Sequence, residues 1–257
     1  MSKDMVNERE EGEPGAQGAV GRPPRRYRYL DLLTTTFVVV LLVSNLVAQK
    51  VCAFGPVFGI GPFYTSGAML LFPVTYIFGD VFTEVYGFAS SRRAIWMGFF
   101  GTTLLYVLSA AVIALPGAPG WKNQAAFATV FGFIPRMLAA SLMAYWAGEF
   151  ANSYTMAKLK LLTNGEKLWT RTIGSTIVGQ GVDTVLVITL TFAGVYPTGT
   201  LVKIIWQGYL AKVAYEVIAT PATYAVIGWL KRAEGADAFD RGVSFNPFRM
   251  GGPLLGE

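Results

Sequence analysis

DLLTTTFVVVLLVSNLVA, residues Asp31 to Ala48, is an apolar run whose single charge stands at its first position. As a helix rising about 1.5 Å per residue, the run spans most of the roughly 30 Å hydrocarbon layer of a bilayer. Residues Met1 to Arg26, upstream of it, are rich in Glu, Gly, Pro, Arg and Gln and contain no apolar stretch. Such a segment cannot offset the entropy of ordering, so residues 1–28 are expected as a disordered tail. No short apolar core with a small-residue cleavage site follows the charged start, so the run reads as an anchor rather than a signal peptide.

Five further segments fit the same template: Phe63 to Tyr86, Ala94 to Leu115, Phe127 to Phe150, Ile173 to Tyr196 and Leu201 to Leu230. Pro116-Gly117 and Tyr196-Pro197 mark helix ends. The run Phe54 to Pro62 (FGPVFGIGP) reads either as an external loop or as a segment folded back into the interface or over the bundle. The expectation is an all-α integral membrane protein with a six-helix transmembrane domain over residues 29–231 and a C-terminal tail over 232–257. Composition agrees: 53% of residues are hydrophobic and only 14% charged, with a mean hydropathy of +0.45, an excess that needs lipid as solvent.

Orientation follows from the basic residues. Lys3, Arg9, Arg22, Arg25, Arg26, Arg28, Arg92, Arg93, Lys158, Lys160, Lys167, Arg171, Lys231, Arg232, Arg241 and Arg249 fall on one side, against Lys50, Lys122 and Lys203 on the other. Sixteen against three places the first set in the cytoplasm, with both termini inside and an even number of crossings. The net charge of +5 is thereby topogenic. No aromatic-rich basic motif points to nucleic acid.

Charges in mid-membrane cost on the order of 3 kcal/mol each on insertion scales, so each asks for a reason. Asp80 and Glu84 are four apart in the second span, and Lys212 and Glu216 four apart in the sixth, so each pair shares a helical face. Gln180 and Asp183 are three apart in the fifth. Arg136 lies in the outer half of the fourth span, with Glu149 and Asn152 toward its inner end. Lys212 with Glu216, and Arg136 with one carboxylate, would satisfy both cations. Five acids against two bases leave three carboxylates to be hydrated, protonated or engaged with a ligand. Depth puts Gln180, Asp183, Lys212 and Glu216 near the midplane and Asp80, Glu84, Glu149 and Asn152 toward the cytoplasm, giving a midplane site with an acidic inner exit. Gly174, Gly179 and Gly181 around Gln180 allow either close helix approach or local unwinding. Ala140, Ala144 and Gly148 form a small-xxx-small packing row.

Enzyme chemistry finds little purchase. The chain has no histidine and one cysteine, Cys52, so a conventional hydrolytic triad, a zinc motif and a disulfide framework are excluded, and no cofactor or metal is expected. Asp80 and Asp183 could pair as an intramembrane aspartyl protease, but Ile77-Phe78-Gly79-Asp80 lacks the Gly-x-Gly-Asp pattern. A channel filter is not visible either. Binding and translocation of a small polar solute remains.

Three segments carry a family resemblance: FPVTYIFGDVFTEVYGFASSRRAIWMGF (Phe72 to Phe99), GEFANSYTMAKLK (Gly148 to Lys160) and WTRTIGSTIVGQGVDT (Trp169 to Thr184). They resemble the queuosine precursor transporter family, also called the vitamin uptake transporter family, over about Tyr29 to Lys231. The resemblance implies a multi-pass carrier of the bacterial inner membrane that salvages 7-deazaguanine bases such as preQ0 and preQ1 for the queuosine modification of tRNA.

Deazaguanine presents donors at N1 and the 2-amino group beside an acceptor at O6, so a carboxylate can accept two parallel hydrogen bonds while an amide or cation serves O6. On that basis Asp183 or Glu216 is expected at the base edge, with Gln180 and Asn152 beside it and Phe78, Phe82 or Tyr86 stacking on the ring. Asp80, Glu84 and Glu149 are further binding candidates, Asp80 and Glu84 for the exocyclic amine of preQ1 or a coupling proton. Arg136 and Lys212 would act as ion-pair or coupling groups. The expected partners are the small-molecule base and the bilayer, and a homo-oligomer is compatible. The alternative is a substrate-binding membrane subunit for a vitamin-like solute, energised by a separate ATPase module.

Overall fold

A computed structural model describes residues 27–48, 50–56, 62–132 and 135–249. The expected N-terminal tail, to residue 26, lies outside them, as does the end of the C-terminal tail from residue 250. Seven α-helices are described: α1 (Leu30–Val47), α2 (Phe72–Tyr86), α3 (Phe88–Ala114), α4 (Gln124–Phe131), α5 (Pro135–Leu162), α6 (Leu168–Phe192) and α7 (Thr198–Glu234).

Among the described residues, five segments are long and apolar enough to cross a membrane: α1, α3, α4 with α5, α6 and α7. Their outward faces are apolar, with Leu32, Val39 and Val43 of α1 and Phe100, Leu104 and Leu108 of α3 exposed. That surface suits acyl chains and would be a liability in water. Polar side chains in α1 are satisfied locally: the hydroxyls of Thr34, Thr35 and Thr36 each donate to the carbonyl four residues back, at 2.8 Å, which lets a threonine triplet enter a lipid-facing helix.

The second span differs from expectation. Its helix starts at Phe72, not Phe63, because Pro62–Ser66 forms a strand (β2) paired antiparallel with Val51–Pro56 (β1), followed by a 3-10 turn, Gly67–Leu70. The two ends of the Gly/Pro-rich run, Phe54–Pro56 and Pro62, therefore belong to paired strands, and residues 57–61 lie outside the described ones. Helix α2, 15 residues long, is about 22 Å at the standard rise. It can be short because it is central: α1, α3, α5 and α7 all pack on it. Val81, Phe82, Val85 and Tyr86 of α2 join Phe37, Ala94, Ile227 and Leu230 in the main apolar core.

The fourth span is likewise offset. Helix α5 extends to Leu162, so Glu149 and Asn152 sit in mid-helix, well short of its end. Helices α5 and α6 form the most extensive pairing in the molecule. They cross at two glycines: a Cβ on Gly179 would lie 2.7 Å from the Asn152 Cβ, and one on Gly148 2.8 Å from the Asp183 Cβ. Helix α6 is continuous through Gly174, Gly179 and Gly181, so close approach, not unwinding, accounts for Gly179.

Both ends of the bundle meet at one pole. The backbone N–H groups of Arg28 and Tyr29, entering α1, and the hydroxyl of Tyr86, ending α2, donate to the Glu234 carboxylate at the end of α7. After α7 the chain turns at Gly235 (φ 58°) and packs back across the helix ends to residue 249. Asp240 accepts the Phe88 N–H at 2.9 and 3.1 Å, capping the N-terminus of α3 just after the Gly87 turn (φ 82°). Arg92 donates to the carbonyls of Ser244 and Asn246, and the Trp96 indole to that of Pro247.

Candidate functional site

Between α1, α2, α5, α6 and α7 lies a cavity of about 260 Å³ whose wall includes Asp80, Glu149, Asn152, Gln180, Asp183 and Lys212. These six came from the sequence as two groups at different depths. The structure merges them, because α5 reaches further past the cavity than its apolar run indicated. The fold also contributes wall residues not singled out from the sequence: Phe37, Ser44, Asn45, Thr75, Tyr76, Ser141, Tyr145 and Thr176. Some were findable, since Tyr76 is one turn before Asp80, and Tyr145 one turn before Glu149, on the same helical faces.

Ser44 and Asn45 near the end of α1, Thr75 and Tyr76 near the start of α2 and Ser141 near the start of α5 place the cavity toward the pole opposite the termini. Beneath it, Phe82, Val85 and Tyr86 close the bundle. Phe82 and Tyr86 are thus core residues, 1% and 2% exposed, and Phe78 packs on the same core, its ring centroid 5.9 Å from that of Phe37. None of the three lines the cavity; the aromatic rings that do are Phe37, Tyr76 and Tyr145.

The ion pairing differs from the sequence expectation in three places. Lys212 reaches across to Asp183, Nζ to Oδ2 at 2.5 Å, and not along its own helix to Glu216. Arg136 meets no carboxylate among the described residues: it donates to the carbonyls of Leu190 and Ala193 at the end of α6. These orphan carbonyls of a helix C-terminus are a natural guanidinium site.

The third difference is Glu84, fully buried below the cavity. Arg171 grips it with two hydrogen bonds of 2.7 Å, Lys231 approaches to 2.5 Å and Lys160 to 3.2 Å. Asp237, just beyond α7, bridges Lys160 and Lys231 at 2.5 and 2.8 Å. Burial opposes ionisation of Asp237, but these two ammonium groups prevail and hold its carboxyl below the usual range. Glu84 therefore stands in a closed ionic node, not an acidic exit. The signal was present in Lys160, Arg171 and Lys231, which charge counting had absorbed as topogenic.

Asp80, Glu149 and Glu216 form no ion pair with any described residue. Asp80 accepts a hydrogen bond from Asn152 and lies within electrostatic reach of Glu216 and Glu149. Glu216 is 1% exposed and does not line the cavity. Gln180 Oε1, in the wall, is buried without a hydrogen-bond partner among the described residues. A buried acceptor costs free energy until a donor meets it. The cavity is thus an acceptor-rich site, ready for a small ligand with several N–H groups. Among the described residues no His/Cys/Asp/Glu group has the arrangement of a metal site.

Residues 66–226 match the model of a family described as "Putative vitamin uptake transporter". A curated "Probable queuosine precursor transporter" of Bacillus subtilis (strain 168) is 33% identical over 147 residues, 57% of this chain and 64% of the relative. The "Queuosine precursor transporter" of Escherichia coli (strain K12) is 26% identical over 169 residues, 65% of this chain and 71% of the relative. The chain thus spans somewhat less than two thirds of the first relative's length. No solved structure matches it significantly. The family match takes in α2, the ionic node up to Arg171 and every cavity-lining helix except α1, and on it this multi-pass membrane protein belongs to the vitamin uptake transporter family.

Proposed function

We propose that the chain is a self-contained carrier that imports queuosine precursors, 7-deazaguanine bases such as preQ0 and preQ1, across the bacterial inner membrane. Its termini and the ionic node would face the cytoplasm, in keeping with the basic-residue asymmetry. The observation that carries this reading is the acceptor-rich cavity inside the bundle, lined by Glu149, Asn152, Gln180 and three aromatic rings. The printed names of the two relatives supply the ligand class.

With Asp183 engaged by Lys212, the base-edge role passes to Glu149, whose two oxygens can accept N1–H and the 2-amino group in parallel. Gln180, Asn152 and Lys212 line the same wall, and their amide and ammonium groups would serve O6 and the remaining edges. Tyr76, Tyr145 or Phe37 supplies a face for the bicycle. Recognition by buried polar groups discriminates sharply against analogues lacking the matching donor.

The test is salvage by cells that neither make nor import these bases. Expression of this chain alone should restore queuosine in tRNA from supplied preQ0 or preQ1, and Glu149→Gln should abolish most of that uptake. Restoration only with an added ATPase module would convert the reading to a substrate-binding subunit. No restoration under either condition rejects it.

A further inference from the structure

Three buried carboxylate oxygens, Asp80 Oδ2 and both of Glu216, have no hydrogen-bond partner among the described residues. The two side chains are each 1% exposed. They belong to α2 and α7, which pack together, and Glu216 lies within electrostatic reach of Asp80. Asp80 is part of the cavity wall.

Among the described residues, no cation serves this pair. Lys212, one turn before Glu216, is held by Asp183 at 2.5 Å. Lys160, Arg171 and Lys231 are gathered on Glu84. Two neighbouring carboxylates can share a proton, yet sharing leaves acceptors over, since an ionised carboxylate donates nothing. The complement of three buried, unpartnered acceptors and negative charge is a group with three donors, no acceptor and positive charge. A primary ammonium is that group, and it gains most where water is excluded. A nitrile in the same place would set an acceptor against acceptors.

We propose that Asp80 and Glu216 form a subsite for a primary ammonium carried by the substrate, so that the aminomethyl base preQ1 is bound in preference to its nitrile counterpart preQ0. This rests on the deazaguanine reading above, and adds to it a charge requirement at the 7-substituent. The two bases share a ring and differ at that substituent, so their affinity ratio isolates the subsite from the base-edge contacts.

The experiment is equilibrium binding of each base to the full chain in lipid nanodiscs at neutral pH, with the Asp80→Asn/Glu216→Gln double variant in parallel. The unmodified chain should bind preQ1 at least about tenfold more tightly than preQ0, a 1.4 kcal/mol difference. In the double variant the ratio should fall to near unity. Equal binding by the unmodified chain, or tighter binding of preQ0, overturns the subsite while leaving the deazaguanine reading intact. Persistence of the preference in the double variant also overturns the assignment to these residues. Binding of neither base rejects the deazaguanine reading and the subsite with it. Should the double variant fail to fold, the ratio in the unmodified chain and in Asp80→Asn decides.

Discussion

One turn of α2 separates Asp80 from Glu84, and the two carboxylates meet opposite electrostatic surroundings. Glu84 is saturated by Arg171, Lys231 and Lys160, and the C-terminal segment adds Asp237 to balance the extra cations. Asp80 faces Asn152 and three acids, Glu216, Glu149 and Glu84 itself, with no cation among the described residues. Both lie on a central helix shielded from lipid, so burial alone does not separate their roles. Compensation does: a charge with every partner in place holds helix ends together, whereas a charge without one is a standing request for a proton or a ligand.

The comparison breaks most visibly at Glu84. Glu84→Ala strands buried cations, a change that typically costs about 3–5 kcal/mol, and should remove most folded protein from detergent extracts, as size-exclusion profiles would report. Asp80→Asn removes a charge that no cation answers, so its melting temperature should stay at or above that of the unmodified chain. A loss at Asp80 as large as at Glu84 would erase the distinction between node and site.

Asp183 with Lys212 is the intermediate case, an ion pair on the cavity wall with side chains 24% and 22% exposed. Asp183→Asn and Lys212→Met should each lower stability by about 1–2 kcal/mol, and the double variant should recover part of the loss in a mutant cycle. Additive losses would mean that the pair is not coupled.

The smallest effect concerns the C-terminal segment. Burial pushes the Asp240 carboxyl up to about 6, against the opposing pull of the Phe88 N–H. Because the folded value is raised, the stability that it contributes is complete below the ordinary carboxylate range near 4 and is lost as pH rises through about 6. Proteolysis within residues 235–249 should be modestly faster at about pH 7.5 than at about pH 5 in the unmodified chain, and this difference should shrink in Asp240→Asn.

Much of the architecture was legible from one chain. Apolar runs of bilayer length predicted a helical membrane protein, and the start of α1 and the end of α7 do meet at one pole. The boundaries that failed did so for a common reason: hydropathy marks where a helix could sit in lipid, not where backbone hydrogen bonds begin and end. Phe63 is apolar but belongs to a hairpin strand, and α5 continues past Phe150 through polar residues that pack on α2 and α6.

The site was half legible. That acids outnumber bases in the membrane could be counted, and a surplus of three carboxylates stands in the structure. Its membership could not be counted, because charges at the ends of spans, such as Lys160, Arg171 and Lys231, reach inward by an amount set only by packing. Sequence alone thus determined the solvent, the helical class and the presence of uncompensated acid in this protein, all of which follow from local composition. Tertiary structure alone decided that Glu84 is locked while Asp80, Glu149 and Glu216 stand without an ion pair among the described residues, because pairing depends on which side chains the crossing of α5, α6 and α7 around α2 brings within a few ångströms.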